Sequence, residues 1–321
     1  MAEGFRDTPQ GVGHGSGHVP VLLKEAIDFL NIRRGGTYID ATVGLGGHSF
    51  EIAKRLGAPG HLIGVDKDPA ALEIAREKLS VGRSSLVVHQ DQDQHDWPTV
   101  EFRHGSFVEI VNDQRPTTID GMLADLGVSS LQLGDAARGF SFQAEGPIDM
   151  RMNPQAELTA EQVVNQFDER ELADLIYEFG EERRSRRIAR AIVRSRPIRT
   201  TAQLADVVSA AVRSMKLGQH KHDRIHPATR TFQALRIFVN HELDDLRALL
   251  TAAPQLLKPA GRLVIISFHS LEDRIVKDAF RDGVKQGQYK LLTKKPVTAC
   301  DEEIDRNPRS RSAKLRAAEK T

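Results

Sequence analysis

The chain has 321 residues, 40% hydrophobic and 28% charged, and its 45 Lys and Arg nearly cancel 44 Asp and Glu, leaving a net charge of +1. That length gives one large domain or about two with a sizeable core, and the composition excludes wholesale disorder. No apolar run reaches the roughly 18 residues of a membrane span, and the lone Cys300 excludes a disulfide framework, so a cytoplasmic protein with no membrane partner is expected.

Residues 1–17 contain GVGHGSG and no periodicity, which reads as a mobile tail without the apolar stretch of a secretory signal. His14 and His18 on so Gly-rich a background read as solvated, and no metal site is expected. Residues 21–30, VLLKEAIDFL, carry apolar positions at helical spacing. Tyr38–Asp40 then reads as a first strand, followed by a Gly-rich turn and a helix over 48–56. His61–Val65 is a second strand, with Pro69 opening the next helix, where its missing N–H costs nothing. The stretch 83–99, with HQDQDQHDW, reads as a polar loop whose Trp97 anchors it to the surface. Val100–Arg103 and Ile119–Ala124 supply strands three and four. Strands alternating with helices predict βαβ units and a doubly wound, mainly parallel α/β sheet.

The alternation stops near Gly139. Through residue 225 the pattern is helical, with capping boxes at Thr159/Gln162 and Thr200/Gln203. After His226-Pro227 one long helical pattern runs through FQALRIFVNHELDDLRALL to Pro254. Gly261–Phe268, GRLVIISF, reads as a fifth strand covered on both faces, and Ser270 caps a helix over 271–281. The expected organisation is therefore a sheet domain of residues 18–138 and 226–321, interrupted by an all-helical insert of residues 139–225.

Chemistry concentrates in the turn Asp40-Ala41-Thr42-Val43-Gly44-Leu45-Gly46-Gly47-His48. Its glycines let the backbone approach a ligand, and the helix start behind it offers free N–H groups. Asp66 ends the second strand in GVDKDP, where a carboxylate accepts hydrogen bonds from both ribose hydroxyls of a nucleoside. The pair indicates an adenosine-containing cofactor. The dinucleotide fingerprint G-x-G-x-x-G meets Ser49 at its third glycine, and there is no P-loop Gly-Lys-Ser/Thr. S-adenosyl-L-methionine, with an amino-acid tail and no phosphates, suits the turn better than NAD. Asp125 closes the fourth strand in DGMLADLGVSSLQL, beside the first turn, where a reacting centre belongs; it is the candidate catalytic residue, with a helix N-cap as the bland alternative. Ser129, Ser130 and Gln132 add neutral donors and acceptors.

At these positions the sequence resembles the RsmH (MraW) family. DATVGLGGHS, GVDKDP, DLGVSSLQL, RGFSF, GPIDMRM, YEFGEERRSRRIARAIV, HPATRTFQALRIFVNHEL, GRLVIISFHSLEDRIVK and NPRSRSAKLR carry the resemblance, from about His18 to Lys320. It implies a class I S-adenosylmethionine-dependent methyltransferase sheet with an inserted helical domain. The implied activity is methylation of the exocyclic N4 of a cytidine in bacterial 16S rRNA of the small ribosomal subunit. Carried over by motif, the cofactor positions are Gly46, Gly47, His48, Asp66, Phe107, Asp125 and Gln132, with Phe107 of HGSF covering the adenine face. The polar 83–99 loop and the Gly/His-rich start depart from the family pattern.

Amino methylation needs no thiolate, in keeping with a single Cys far from any motif, whereas C5 methylation of cytosine does. The fourth strand ends Asp125-Leu126-Gly127-Val128 with no aromatic to stack a base, leaving Phe140, Phe142 or Phe268 for that task. Between Arg183 and Arg199 there are eight Arg and no acid, and from Arg306 onward six basic residues stand against Glu319 alone. On a helix, Arg183, Arg186, Arg187, Arg190 and Arg194 would present a phosphate-binding stripe to RNA. Solvated or internally paired charge is the alternative for both segments, a non-catalytic RNA-binding protein is the alternative for the whole, and a homodimer is left open.

Overall fold

Apolar runs with β-branched residues, each followed by an amphipathic helix, build the sheet that positions the site. The computed structural model describes residues 19–85, 96–108, 118–213 and 226–321. His14 and His18 lie outside them, as does most of the 83–99 stretch. Among the described residues seven strands form one sheet in the order β3-β2-β1-β4-β5-β7-β6. They are β1 (Thr37–Asp40), β2 (His61–Asp66), β3 (Thr99–His104), β4 (Ile119–Asp125), β5 (Leu257–Ser267), β6 (Tyr289–Leu291) and β7 (Lys314–Lys320). The first five strands in that order are parallel, and β7 runs antiparallel to both β5 and β6.

Both faces are covered, which is why β5 reads as an unbroken apolar run: Leu263, Val264, Ile265 and Ile266 are all 0% exposed. On one face Ile39, Ile63, Met122 and Ile265 pack under α10 (Glu242–Leu256) and α11 (Ser270–Lys285). On the other, Tyr38, Leu62, Leu123 and Ile266 pack under α1 (Leu23–Leu30) and α2 (Gly47–Leu56), beside α3 (Pro69–Ser85). Trp97 packs against Phe50 of α2 with ring centroids 6.0 Å apart.

After β4 come α4 (Ser130–Gly134) and then, from within the expected insert, α5 (Ala160–Gln166), α6 (Glu169–Gly180), α7 (Ser185–Arg194) and α8 (Thr201–Arg213), followed by α9 (Thr229–Asn240). Thr159/Gln162 forms the expected capping box, and Thr200 and Gln203 exchange bonds of 3.3 Å in each direction. The insert has its own buried cluster, reaching from Phe140 to Val239. Helix α9, on the sheet side of the 225/226 boundary by sequence, thus packs into the insert.

Three other readings change. The single helix expected to run on to Pro254 is two, because His241 sits at φ 53° and turns the chain from α9 into α10. Helix α11 is capped by His269 and reaches Lys285, since Glu272 completes the box three residues on. Strands β6 and β7 were not anticipated: KLRAAEK reads as a basic tail by composition, yet Leu315, Ala317 and Ala318 are fully buried.

Candidate active site

Register creates the crevice. Asp40 at the end of β1 pairs with Gly64 of β2 and Leu123 of β4, so those neighbours run two residues further, to Asp66 and Asp125. The chain leaves β1 into its Gly-rich turn between these two carboxylates, which is the switch point of a doubly wound sheet, where ligands bind. A cavity of about 340 Å³ opens there, inside the size range of small-molecule sites.

Most residues expected at a cofactor line this cavity: Gly47, His48, Asp66, Phe107, Asp125 and Gln132. Gly46 does not. Its N–H bonds Val43 O at 2.8 Å, and a Cβ there would press within 3.1 Å of Ala75, so it serves helix packing. Gly44 lies on the cavity instead, at φ +51° with open space where a Cβ would stand. Its N–H donates to Asp66 Oδ2 at 2.7 Å, while Asp66 Oδ1 accepts from the Asp68 N–H at 2.9 Å. Burial pushes the Asp66 carboxyl above its ordinary value.

Asp125 is not a helix N-cap; Ser129 has that role, in a reciprocal box with Gln132. The Asp125 N–H bonds Thr42 Oγ1 at 2.6 Å, which leaves its carboxyl group for the cavity. Oδ1 is buried without a hydrogen-bond partner among the described residues, and Oδ2 lies 3.6 Å from His48 Nδ1. The other nitrogen of His48 contacts the Val21 carbonyl at 3.1 Å, which can only accept, so Nε2 carries the proton and Nδ1 faces Asp125. Burial, then the charges of Asp40 and Glu272, push the Asp125 carboxyl well above the ordinary value. Asp40 lies behind it, fully buried, accepting from Ser49 Oγ at 2.5 Å and raised by burial to about 6.

Sequence alone did not bring in the wall supplied by other elements. Lys67 pairs with Asp245, and Arg236 of α9 forks onto Glu242 at 2.8 and 2.9 Å. Glu272 accepts from the Phe268 N–H at 2.8 Å; burial would raise its carboxyl, but His269 and Arg236 hold it below the ordinary range. Gln132 Nε2 donates to Asp68 Oδ2 at 2.9 Å, and Arg138 grips the same oxygen while reaching the Arg151 and Met152 carbonyls. Insert and sheet thus share one polar network behind the cavity. Of the three aromatic candidates for a base, Phe268 lines the cavity; Phe142 packs on His226 and Phe232 in the insert, and Phe140 belongs to the insert core. Cys300 is exposed, outside the lining.

The sequence matches the MraW methylase family over residues 15–321. The chain belongs to that family. A relative from Koribacter versatilis called ribosomal RNA small subunit methyltransferase H is 68% identical over 301 residues, covering 94% of this chain and 93% of its own length. One of the same description from Acidobacterium capsulatum is 63% identical over 303 residues, covering 94% and 98%. As a member of the MraW methylase family the protein is a methyltransferase of class I fold with S-adenosyl-L-methionine as cofactor, and a nicotinamide reading is set aside. The cavity fits that group: a nucleoside-type carboxylate at Asp66, an open backbone at Gly44, an aromatic ring at Phe107, and an unpartnered carboxylate oxygen at Asp125.

Away from the cavity, α7 buries Ile188, Ala189 and Ile192 and turns its arginines outward. Arg183, Arg186, Arg190 and Arg194 are exposed and Arg187 is half-buried. Arg186, Arg187, Arg190 and Arg194 line an open groove against α8, with Asp206 as its one acid among the described residues. Arg196 is taken inside, donating to the Val164 carbonyl at 2.8 Å and to that of Phe167.

Proposed function

We propose that this methyltransferase transfers a methyl group to the exocyclic N4 of a cytidine in 16S rRNA of the small ribosomal subunit. The relatives' description supports the RNA class. The observation that carries the amino target is Asp125, a half-buried carboxylate whose buried Oδ1 has no partner among the described residues, on a cavity without a thiol.

The cofactor supplies an electrophilic methyl group on a sulfonium. Gly44, Asp66 and Phe107 would hold its adenosine portion, with His48, Gly47 and Gln132 near the remainder. The cytosine amino lone pair is delocalised into the ring, so orientation and pyramidalisation at nitrogen dominate the barrier. Asp125 Oδ1, aimed at the amino hydrogens, favours the tetrahedral cationic nitrogen that develops during attack. His48, tied to the Val21 carbonyl through Nε2, lies beside the second oxygen at 3.6 Å. Phe268 would carry the base, and the Arg186–Arg194 groove the flanking phosphates. Deprotonation can follow methyl transfer, so a strong base is not required.

The acceptor must be ionised. Because the Asp125 carboxyl is raised, kcat should climb with pH until that group has lost its proton. Asp125→Asn should cost on the order of 10²-fold in kcat and flatten this limb, with cofactor binding measured separately by calorimetry. Near-normal turnover at saturating cofactor, or a labelled nucleoside other than N4-methylcytidine, would refute the reading.

A further inference from the structure

We infer that Arg309 is a phosphate anchor at the mouth of the cavity, holding the RNA backbone beside the nucleotide whose base enters. The inference rests on the function proposed above and adds a contact that neither the family's motifs nor the arginine helix assign.

The charges lining the cavity are unequal. Asp66, Asp125, Glu242, Asp245 and Glu272 contribute carboxylates, against Lys67, Arg236 and Arg309. Lys67 is engaged by Asp245 and Arg236 by Glu242. Arg309 takes none of the five acids, and among the described residues it has no hydrogen bond or ion pair. Arg309 is exposed to solvent, and its partial burial lowers the guanidinium below the ordinary value with no acid opposing. A cation held at an acidic cavity while pairing with no carboxylate is placed for an anion from outside. A polyanion whose base must enter so negative a pocket needs such a contact most, and a guanidinium fork matches phosphate oxygens.

The backbone beneath Arg309 is fixed, as an anchor requires. It lies in a 3₁₀ turn, Pro308–Ser312, directly after α12 (Asp301–Arg306). Ser310 is fully buried and donates to the Asn307 carbonyl at 2.8 Å, and Asn307 Nδ2 donates to Val19 O at 3.0 Å. Glu303 accepts from the Leu22 N–H at 2.7 Å. The strap Val19–Leu22 is thereby clasped between the C-terminal turn and α2, where Pro20 sits so close to Gly47 that a Cβ there would meet Pro20 Cγ at 2.3 Å. Val21 in this strap is also the residue His48 holds. The anchor is therefore mechanically tied to the group beside Asp125.

The test compares wild type, Arg309→Ala and Arg309→Lys on small-subunit particles, with cofactor affinity measured by calorimetry without RNA. Arg309→Ala should raise the KM for the particle about 10-fold and lower the salt slope of its binding by about one. Arg309→Lys should recover the slope, since it keeps the point charge, but not all of the affinity. Cofactor Kd should stay within about 2-fold of wild type, which also verifies folding. A raised cofactor Kd with unchanged particle KM would overturn the inference and assign Arg309 to the cofactor's carboxylate. Unchanged constants throughout would leave it a solvated arginine and equally overturn the inference. If wild type itself transfers no methyl group to the particle, the functional proposal fails rather than this one.

Discussion

Two arginine-rich stretches, α7 and the C-terminal segment, look alike in composition and end in opposite roles. Along α7 the apolar residues recur at helical spacing, so burying Ile188 and Ile192 forces Arg186, Arg190 and Arg194 to the far face. In the C-terminal segment Lys314, Arg316 and Lys320 fall on an inner strand, while Arg306, Arg309 and Arg311 precede it. With period two, Lys314 and Arg316 point the same way, and both reach Asp273 of α11, at 3.3 and 2.7 Å. Burial would raise the Asp273 carboxyl, but Arg316 and Lys314 outweigh it and hold it below the ordinary range. One stretch turns its charge to solvent; the other spends Lys314 and Arg316 on the fold and leaves Arg309 at the cavity. A count of basic residues cannot separate these fates, because the period and the neighbouring element decide which way each guanidinium points.

The sharpest way to break this contrast is Arg316→Ala. It removes the nearer of the two cations on Asp273, whose side chain is only 15% exposed, leaving Lys314 alone at 3.3 Å, and should cost about 2 kcal/mol in urea unfolding at neutral pH. A loss under about 1 kcal/mol would place Arg316 with the solvated charges. Arg186→Ala combined with Arg190→Ala should do the reverse. Stability should hold within about 0.5 kcal/mol, since the Arg190–Glu169 pair is exposed, while the RNA KM rises about 10-fold and the salt slope falls by about two. An unchanged RNA KM would remove the groove from the RNA-binding surface.

The smallest expected effect concerns the buried acid behind the site, where charge has no partner of opposite sign. Asp40 keeps its proton to about pH 6 in the folded chain and releases it near the ordinary 3.8 when unfolded. Between those values the folded state binds more protons, so this group's contribution to stability falls as pH rises from about 4 to 6. Asp40→Asn should flatten that window in thermal unfolding followed across pH. A window of unchanged slope would show that Asp40 ionises as readily in the folded chain as in the unfolded one.

Much of the site was legible because its signals are local. The Gly-rich turn, Asp66 and Asp125 each sit at the end of a strand that periodicity reveals, and a parallel sheet brings such ends to one edge, whereas Phe107 was reached through the resemblance. Thr159 and Gln162 announced a helix start through a box spanning three residues. What escaped depends on partners far away in sequence. Gly46 and Gly44 are indistinguishable as letters, yet one faces Ala75 and the other open space. The break between α9 and α10 at His241 lies inside one continuous apolar pattern, and it sends one half to the insert core and the other to the sheet.

By itself the sequence determined the strand-and-helix alternation, the all-helical interruption and the residues at the strand ends, since each follows from spacing over a few positions. Tertiary structure decided which charges are available. It closed β7 into the sheet and consumed Arg316, turned the α7 arginines to solvent, and brought Arg236, Glu242, Glu272 and Arg309 to one cavity. Pairing energy depends on burial and on the distance between groups that the chain keeps far apart, and neither quantity exists before the chain has folded.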